Sequence, residues 1–524
     1  MKRSGGETLL VRGGRVLRGD LRSCEMADLL LRDGRIEAIE RPGVMEAINH
    51  VVVDASDRLL IPGLVNAHTH SHGALGKGLV PDRVPLEVFL CASGAISAHR
   101  SIADKHLSAK LSAVELIRKG CTACYDLFVE IPAPSREGLD AVASAYDETG
   151  IRAVVAPMLA DRSLYHALPG LLEWLPPNAR EQAARIAMAP SDASLAAAHD
   201  ALRHWAFDPE FIRPAIAPTI PLHCTDAFMT GCARLAAEFD VGLQTHLAES
   251  KTQAVLAHAR YGRSLVEHLV HLGLPGPRFS AAHGIWMDAN DIARLADAGA
   301  TLVHNPMSNL RLGSGVAPAR EMLDAGLRLA IGTDATNTSD GQNMFEALRL
   351  AAYLSRIADA DPERWLSVEE AFRAATQGSA AALGFTDIGQ LEPGFAADIV
   401  FLDLAHINYV PLRAPLLQLA FAESGAAVDS VMIGGRMVLD HGRLVTVDER
   451  RLREEAAEAV ARLDPTNAQA LAASSMLGEL VGHFCLAHAR SAFDLQRRLP
   501  DGHAGTATLA AYSLEQTKGM PCQQ

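Results

Sequence analysis

Residues able to do metal and proton chemistry recur in this sequence directly after short apolar runs. In "VNAHTHSHG", His68, His70 and His72 alternate. Side chains at i and i+2 of a strand share a face, so His68 and His70 aim together, and two such imidazoles make half of a metal site. Further along, "VGLQTH" ends in His246, "RFSAAH" in His283 and "LRLAIGTD" in Asp334. One imidazole at an apolar strand end is ordinarily a hydrogen-bonded core residue. Several such positions converging on one rim point instead to a divalent metal. A bound divalent ion lowers the pKa of its water to about 7, so hydroxide becomes available at neutral pH.

The elements that must position these residues are legible as apolar runs separated by Ala- and Leu-rich helical stretches. The runs are "GLVNAH", "CTACYD", "IRAVVAP", "FIRPAIAPT", "VGLQTH", "RFSAAH", "ATLVHN" and "LRLAIGTD". They are too apolar for one-sided strands and suit a parallel sheet covered on both faces. Eight strand–helix units predict an α/β fold, a (β/α)8 TIM-like barrel over residues 63–385, with its site at the C-terminal ends of the strands. Residues 1–62 and 386–445 have hairpin texture. "TLLVRGGRVLRG" and "DLLLRDGRIEAIE" each read as two apolar runs split by a Gly turn. Together the two flanks predict one small β-sandwich domain built from both chain ends. Residues 446–524 predict a helical C-terminal tail, partly flexible.

Composition narrows the function classes. A net charge of −14 argues against a nucleic-acid binder. The first residues lack an apolar h-region, so no signal peptide is expected, and no run of about 18 apolar residues suggests a membrane span. The eight cysteines are scattered. Cys121 and Cys124 lack a second pair to complete a zinc ribbon and read as small core residues. A reducing cytoplasm fits this usage.

The segments "IPGLVNAHTH", "QTHLAES", "AAHG", "HNPMSNLRLGSG" and "GTDATNTSDG" resemble the amidohydrolase superfamily, in its branch of heterocycle deaminases and chlorohydrolases. "GQLEPGFAADIVFLD" and "VMIGGRMVLDHG" are similar to the β-sandwich strands of that family. The resemblance covers about residues 5–450. It implies one divalent metal ion, commonly zinc or iron, held by His68, His70, His246 and Asp334. It implies that His283 orients the attacking water and stabilises the developing oxyanion. It also implies that Glu249 shuttles protons and that Asp334 takes a proton from the water. Binuclear members carry a bridging lysine on the fourth strand, and "FIRPAIAPTI" has none.

The implied function is a metal-dependent hydrolytic deaminase of an amino-substituted N-heterocycle such as a purine, pyrimidine, pterin or triazine. Ammonia would be released after attack by metal-bound hydroxide. A relative cleaving a C–Cl or cyclic amide bond is the alternative, and a non-catalytic scaffold is the third reading. The expected partner is a small heterocyclic substrate, with a homodimer or larger assembly open. Candidate substrate contacts are His72, Asp161, Arg162, His304 and Asn309, with Ser308 beside them. Each has a structural reading too: a loop histidine for His72, a surface ion pair for Asp161 and Arg162, a turn for the segment after His304. His268 and His271 have metal-like spacing but flank a leucine stripe. "RLGSGVAP" lacks the GK[ST] of a P-loop, and HExxH and the H-x-E…PCxxC signature are absent.

Overall fold

The computed structural model describes residues 8–46, 50–97 and 99–498. The far end of the expected tail, 499–524, lies outside the described residues.

All eight apolar runs form strands of one parallel sheet, numbered here around the barrel. They are β1 (Leu64–His70), β2 (Cys121–Val129), β3 (Arg152–Leu159), β4 (Ile212–Pro218), β5 (Gly242–Leu247), β6 (Phe279–His283), β7 (Thr301–His304) and β8 (Arg328–Ile331). Every residue of β1, β6 and β7 is buried, as strands covered on both faces require. Val65, Ala67, Ala123, Tyr125, Val154, Ala215, Val303 and Ala330 fill one inner core. The opposite faces pack on the surrounding helices. β8 is broken after Ile331. After two intervening residues Asp334–Ala335 resumes as a strand and pairs in parallel with Thr69–His70, which closes the ring on β1.

A second nine-stranded sheet joins both chain ends. Its seam is the antiparallel pairing of Arg58–Pro62 with Ile399–Asp403, and its core includes Val11, Leu29, Leu60 and Phe401. "DLLLRDGRIEAIE" forms the expected hairpin, turning at Asp33 (φ 50) and Gly34 (φ 76). The positive φ at both turn residues matches the twist of the flanking strands. "TLLVRGGRVL" does not form a hairpin. It is one strand, Thr8–Leu17, with a register shift between Val11 and Gly14. Gly13 takes φ 73 there, and a Cβ on Gly14 would lie 2.7 Å from the Leu60 side chain. The glycines serve a bulge, which a sequence pattern does not distinguish from a turn.

The tail is one long helix, Glu449–Ala489, capped by Asp448. By length and composition alone this helix could cross a membrane, a feature that a search for unbroken apolar runs does not register. Here it lies along the barrel. Leu452, Ala459 and Leu463 pack against Leu75, Leu107 and Val114, while Leu477, Val481, Phe484 and Cys485 join the main core. Gly482 lets it approach helix Leu86–Ser97: a Cβ there would come within 3.1 Å of Val88 Cγ2. Beyond the helix the chain crosses the loops after β5, β6 and β7. Ser491 O accepts from Lys251 Nζ (2.8 Å), and Arg497 O accepts from Val316 N (2.8 Å).

Candidate metal centre

Hydrogen bonds on one ring nitrogen of each histidine determine what the other nitrogen offers. His70 Nδ1 lies 2.7 Å from Leu127 O, and His246 Nδ1 lies 2.6 Å from Thr219 O. A carbonyl only accepts, so both Nδ1 atoms carry the proton. His68 Nδ1 is 2.6 Å from Gln244 Oε1. Gln244 Nε2 donates to Ser280 Oγ (2.8 Å) and Ala67 O (3.2 Å), which fixes the amide with its oxygen toward His68. In its neutral form each ring therefore presents a bare Nε2.

These lone pairs converge. His70 Nε2 and His246 Nε2 are 3.1 Å apart. Asp334 Oδ1 lies 3.3 Å from His68 Nε2 and 3.2 Å from His70 Nε2. The ligand atoms of His68, His70, His246 and Asp334 all lie within 4.8 Å of one another, and all four residues are buried. Burial drives the His246 imidazole well below its usual pKa, whereas at His70 burial is outweighed by the Asp334 carboxylate, which holds that imidazole above its own. In a dry site these crowded acceptors need a shared cation, either a proton on His70 or a metal ion. Three imidazoles and a carboxylate, each oriented from outside, match a divalent ion such as zinc.

The backbone departs from regular strand geometry at these residues. Val65 and Ala67 face the inner core, so strict alternation would turn His68 and His70 away from it. Pairing of β1 with β2 shifts register between Asn66 and Thr69. That shift turns both imidazoles inward, as bulges beside active sites commonly do. His283 and Asp334 adopt φ 75 and φ 63, in the left-handed region that L-residues avoid. Asp334 is held in place by Ser308 Oγ, which donates to its Oδ2 (2.5 Å), and by Thr69 Oγ1, which donates to its carbonyl (3.1 Å).

Beside the centre lies a buried pair. His283 Nε2 is 3.5 Å from Glu249 Oε2, and His283 Nδ1 is 2.9 Å from Asn309 Oδ1. Burial lowers the His283 imidazole to about 4, leaving it neutral at pH 7. Burial first, then the nearby charges of Asp334 and Glu87, raises Glu249 well above the usual carboxylate range. Its Oε1 is buried without a partner among the described residues. Glu249, His283 and Asp334 also fall within 4.8 Å of one another, so the proton-bearing pair adjoins the metal-ligand group directly.

The candidate substrate contacts divide. His72 is buried, with its ring 5.5 Å from that of His70, and its Nδ1 has no partner among the described residues. His72 and Arg162 line a cavity of about 440 Å³ at the barrel mouth. Asn309 and Ser308 instead position His283 and Asp334. His304 is buried at the end of β7, and burial lowers it to about 4. Asp161 accepts from Ser191 Oγ and from Thr225 N and Oγ1, so it anchors the helix Thr225 caps rather than facing the centre. His268 stacks on Tyr261 and pairs with Asp226 (3.0 Å), away from any metal cluster. Cys121 and Cys124 are buried core residues. Sequence reasoning missed Gln244, although it lies two residues before His246 on the same strand face. It also missed Glu87, a buried carboxyl that accepts from Ser250 Oγ (2.5 Å) and carries no sequence signal.

The chain is 33% identical over 422 residues to an 8-oxoguanine deaminase of Pseudomonas aeruginosa, covering 80% of this chain and 91% of the relative. It is 29% identical over 446 residues to a 5-methylthioadenosine/S-adenosylhomocysteine deaminase of Pyrococcus abyssi, covering 85% and 97%. A solved adenosine deaminase from Xanthomonas campestris with bound zinc superposes with a TM-score of 0.77 at 29% identity, covering 88% of this chain and 100% of that one. An atrazine chlorohydrolase from Arthrobacter aurescens complexed with zinc gives 0.76 at 26%, covering 86% and 100%. The model of the amidohydrolase family matches residues 59–438, and the chain belongs to that family.

Proposed function

We propose that this protein is a metal-dependent deaminase that hydrolyses an amino-substituted N-heterocycle to the corresponding lactam and ammonia. The observation that carries this reading is the buried Glu249, 3.5 Å from His283 and beside a converging His68–His70–His246–Asp334 group, its carboxyl raised well above the usual range by burial. A divalent cation in that group supplies Lewis acidity and a nucleophilic water at neutral pH.

The chain's own residues supply the rest. Asp334, with Oδ2 held by Ser308, accepts a proton as water adds to the ring carbon bearing the amino group. His283, oriented by Asn309 and neutral, directs its Nε2 toward Glu249 and the incoming oxygen. Glu249 gives its proton to the adjacent ring nitrogen, whose basicity rises as the carbon becomes tetrahedral. The proton taken by Asp334 then passes to the amino group, the C–N bond breaks, ammonia leaves, and the remaining hydroxyl proton returns to Glu249 as the carbonyl forms. Burial of this constellation excludes bulk water from the proton path.

The test is an ammonia-release screen of the zinc-loaded protein across aminopurines, aminopyrimidines, pterins and aminotriazines, with Glu249→Gln run in parallel. Ammonia from at least one class, lost in the variant, supports the reading. Chloride from a chlorotriazine, or a ring-opened acid, with no ammonia from any amine would replace it.

A further inference from the structure

The cavity at the barrel mouth is not explained by the metal centre. None of the proposed metal ligands lines it, yet it adjoins them through His72, next to His70, and through Thr219, whose carbonyl orients His246. Its volume of about 440 Å³ lies in the range that holds a drug-sized ligand. A ring undergoing attack must sit over the metal centre, so this space beside it remains for something attached to the ring. The lining is largely apolar, with Val129, Ile131, Met158, Tyr165 and Met188 around it. Among the described lining residues Arg162 alone carries a full charge, which disfavours a cationic occupant.

The cavity owes its room to small residues on two helices. Gly94 and Ala95 face it from helix Leu86–Ser97, and Ala470, Ala473 and Ser474 from the C-terminal helix. The C-terminal helix begins at Glu449, after the family match ends at residue 438. One wall of the cavity is thus built by a segment the family model does not include.

We propose that the C-terminal helix acts as a specificity wall, and that the cavity it closes receives a neutral, mainly apolar substituent on the heterocycle. This rests on the deaminase reading for the ring and extends it to what the ring carries. A bare base leaves the cavity filled with water against apolar walls. A substituent of matching size displaces that water and binds more tightly.

The test pairs each bare base with its substituted form: adenine with 9-benzyladenine, and guanine with 9-benzylguanine. Full-length zinc-loaded protein is compared with Ala473→Trp, which puts a ring at the cavity wall, and with Ala468→Trp, an exposed position on the opposite side of the same helix that does not line the cavity. The kcat/KM ratio of substituted to bare base is expected to exceed ten in the wild type. It is expected to fall at least tenfold in Ala473→Trp and to hold in Ala468→Trp. A wild-type ratio near one, or equal changes in both variants, overturns the proposal. If no base is deaminated, the functional reading fails, and calorimetric titration of the same pairs still decides the cavity. There the benzyl form must bind at least tenfold more tightly to wild type, with the gain lost in Ala473→Trp. Equal affinities overturn the specificity wall.

Discussion

The two sides of the barrel mouth are built on different principles. At the ends of β1, β5 and β6 and just beyond β8, each functional side chain is pinned from behind: His68 by Gln244, His70 and His246 by carbonyls, Asp334 by Ser308, His283 by Asn309. Beyond the ends of β2, β3 and β4, residues such as Ile131, Ala160 and His223 border an open cavity whose far walls are helices and loops. One side is preorganised by hydrogen bonds within the barrel. The other is shaped largely by helices and loops outside those bonds, with Thr219 as the residue that serves both. The comparison teaches that reaction type and substrate choice are stored in different parts of this chain, as expected where function is grafted onto a common fold.

The largest expected effect breaks the pinned side outright. His246→Ala removes one of the converging nitrogens. It should reduce bound zinc to well below one per chain by elemental analysis, with ammonia release falling by more than about 10³-fold. Glu249→Gln should lower kcat by about 10²–10⁴-fold while zinc content stays near the wild-type value. That difference separates proton transfer from metal binding.

The same residue sets a pH dependence. Glu249's carboxyl is raised well above its ordinary value by burial. Its proton is present below that raised pKa and is lost as pH rises through it. The wild-type kcat/KM should therefore fall on the alkaline side, and the limb should be missing from the residual activity of Glu249→Gln.

Gln244→Leu sharpens the contrast more gently. It removes the acceptor that fixes the His68 tautomer, and zinc affinity should drop about 10–100-fold in a competitive chelator titration. The smallest effect belongs to the open side. Gly482→Leu crowds Val88 where the two helices meet. It should cost about 1–3 kcal/mol in stability, read as a lower thermal midpoint, with zinc content unchanged.

Much of the pinned side was legible in the sequence. Strand runs ending in His246, His283 and Asp334 are visible because parallel strands are nearly all apolar, so a polar terminus stands out. The groups behind the ligands were less visible. Gln244 looks like any polar residue in a strand, and Ser308 and Asn309 read as candidate substrate contacts rather than as supports, because the groups they hold come from other segments. The register shift in β1 leaves no mark in the pattern, since alternating histidines read the same with or without it. Asp161 shows the converse limit: it follows β3 directly, and its carboxylate is taken up by Ser191 and Thr225, which the sequence places far away. The cavity was invisible because alanines and serines facing each other across two distant helices carry no local signal.

The most direct test of the account is anomalous diffraction at the zinc edge from crystals of the full-length protein. The account predicts one strong peak, about 2.0–2.2 Å from the Nε2 atoms of His68, His70 and His246 and from a carboxylate oxygen of Asp334. A peak coordinated through Nδ1 atoms, or zinc-soaked crystals with no peak between these four side chains, would contradict it.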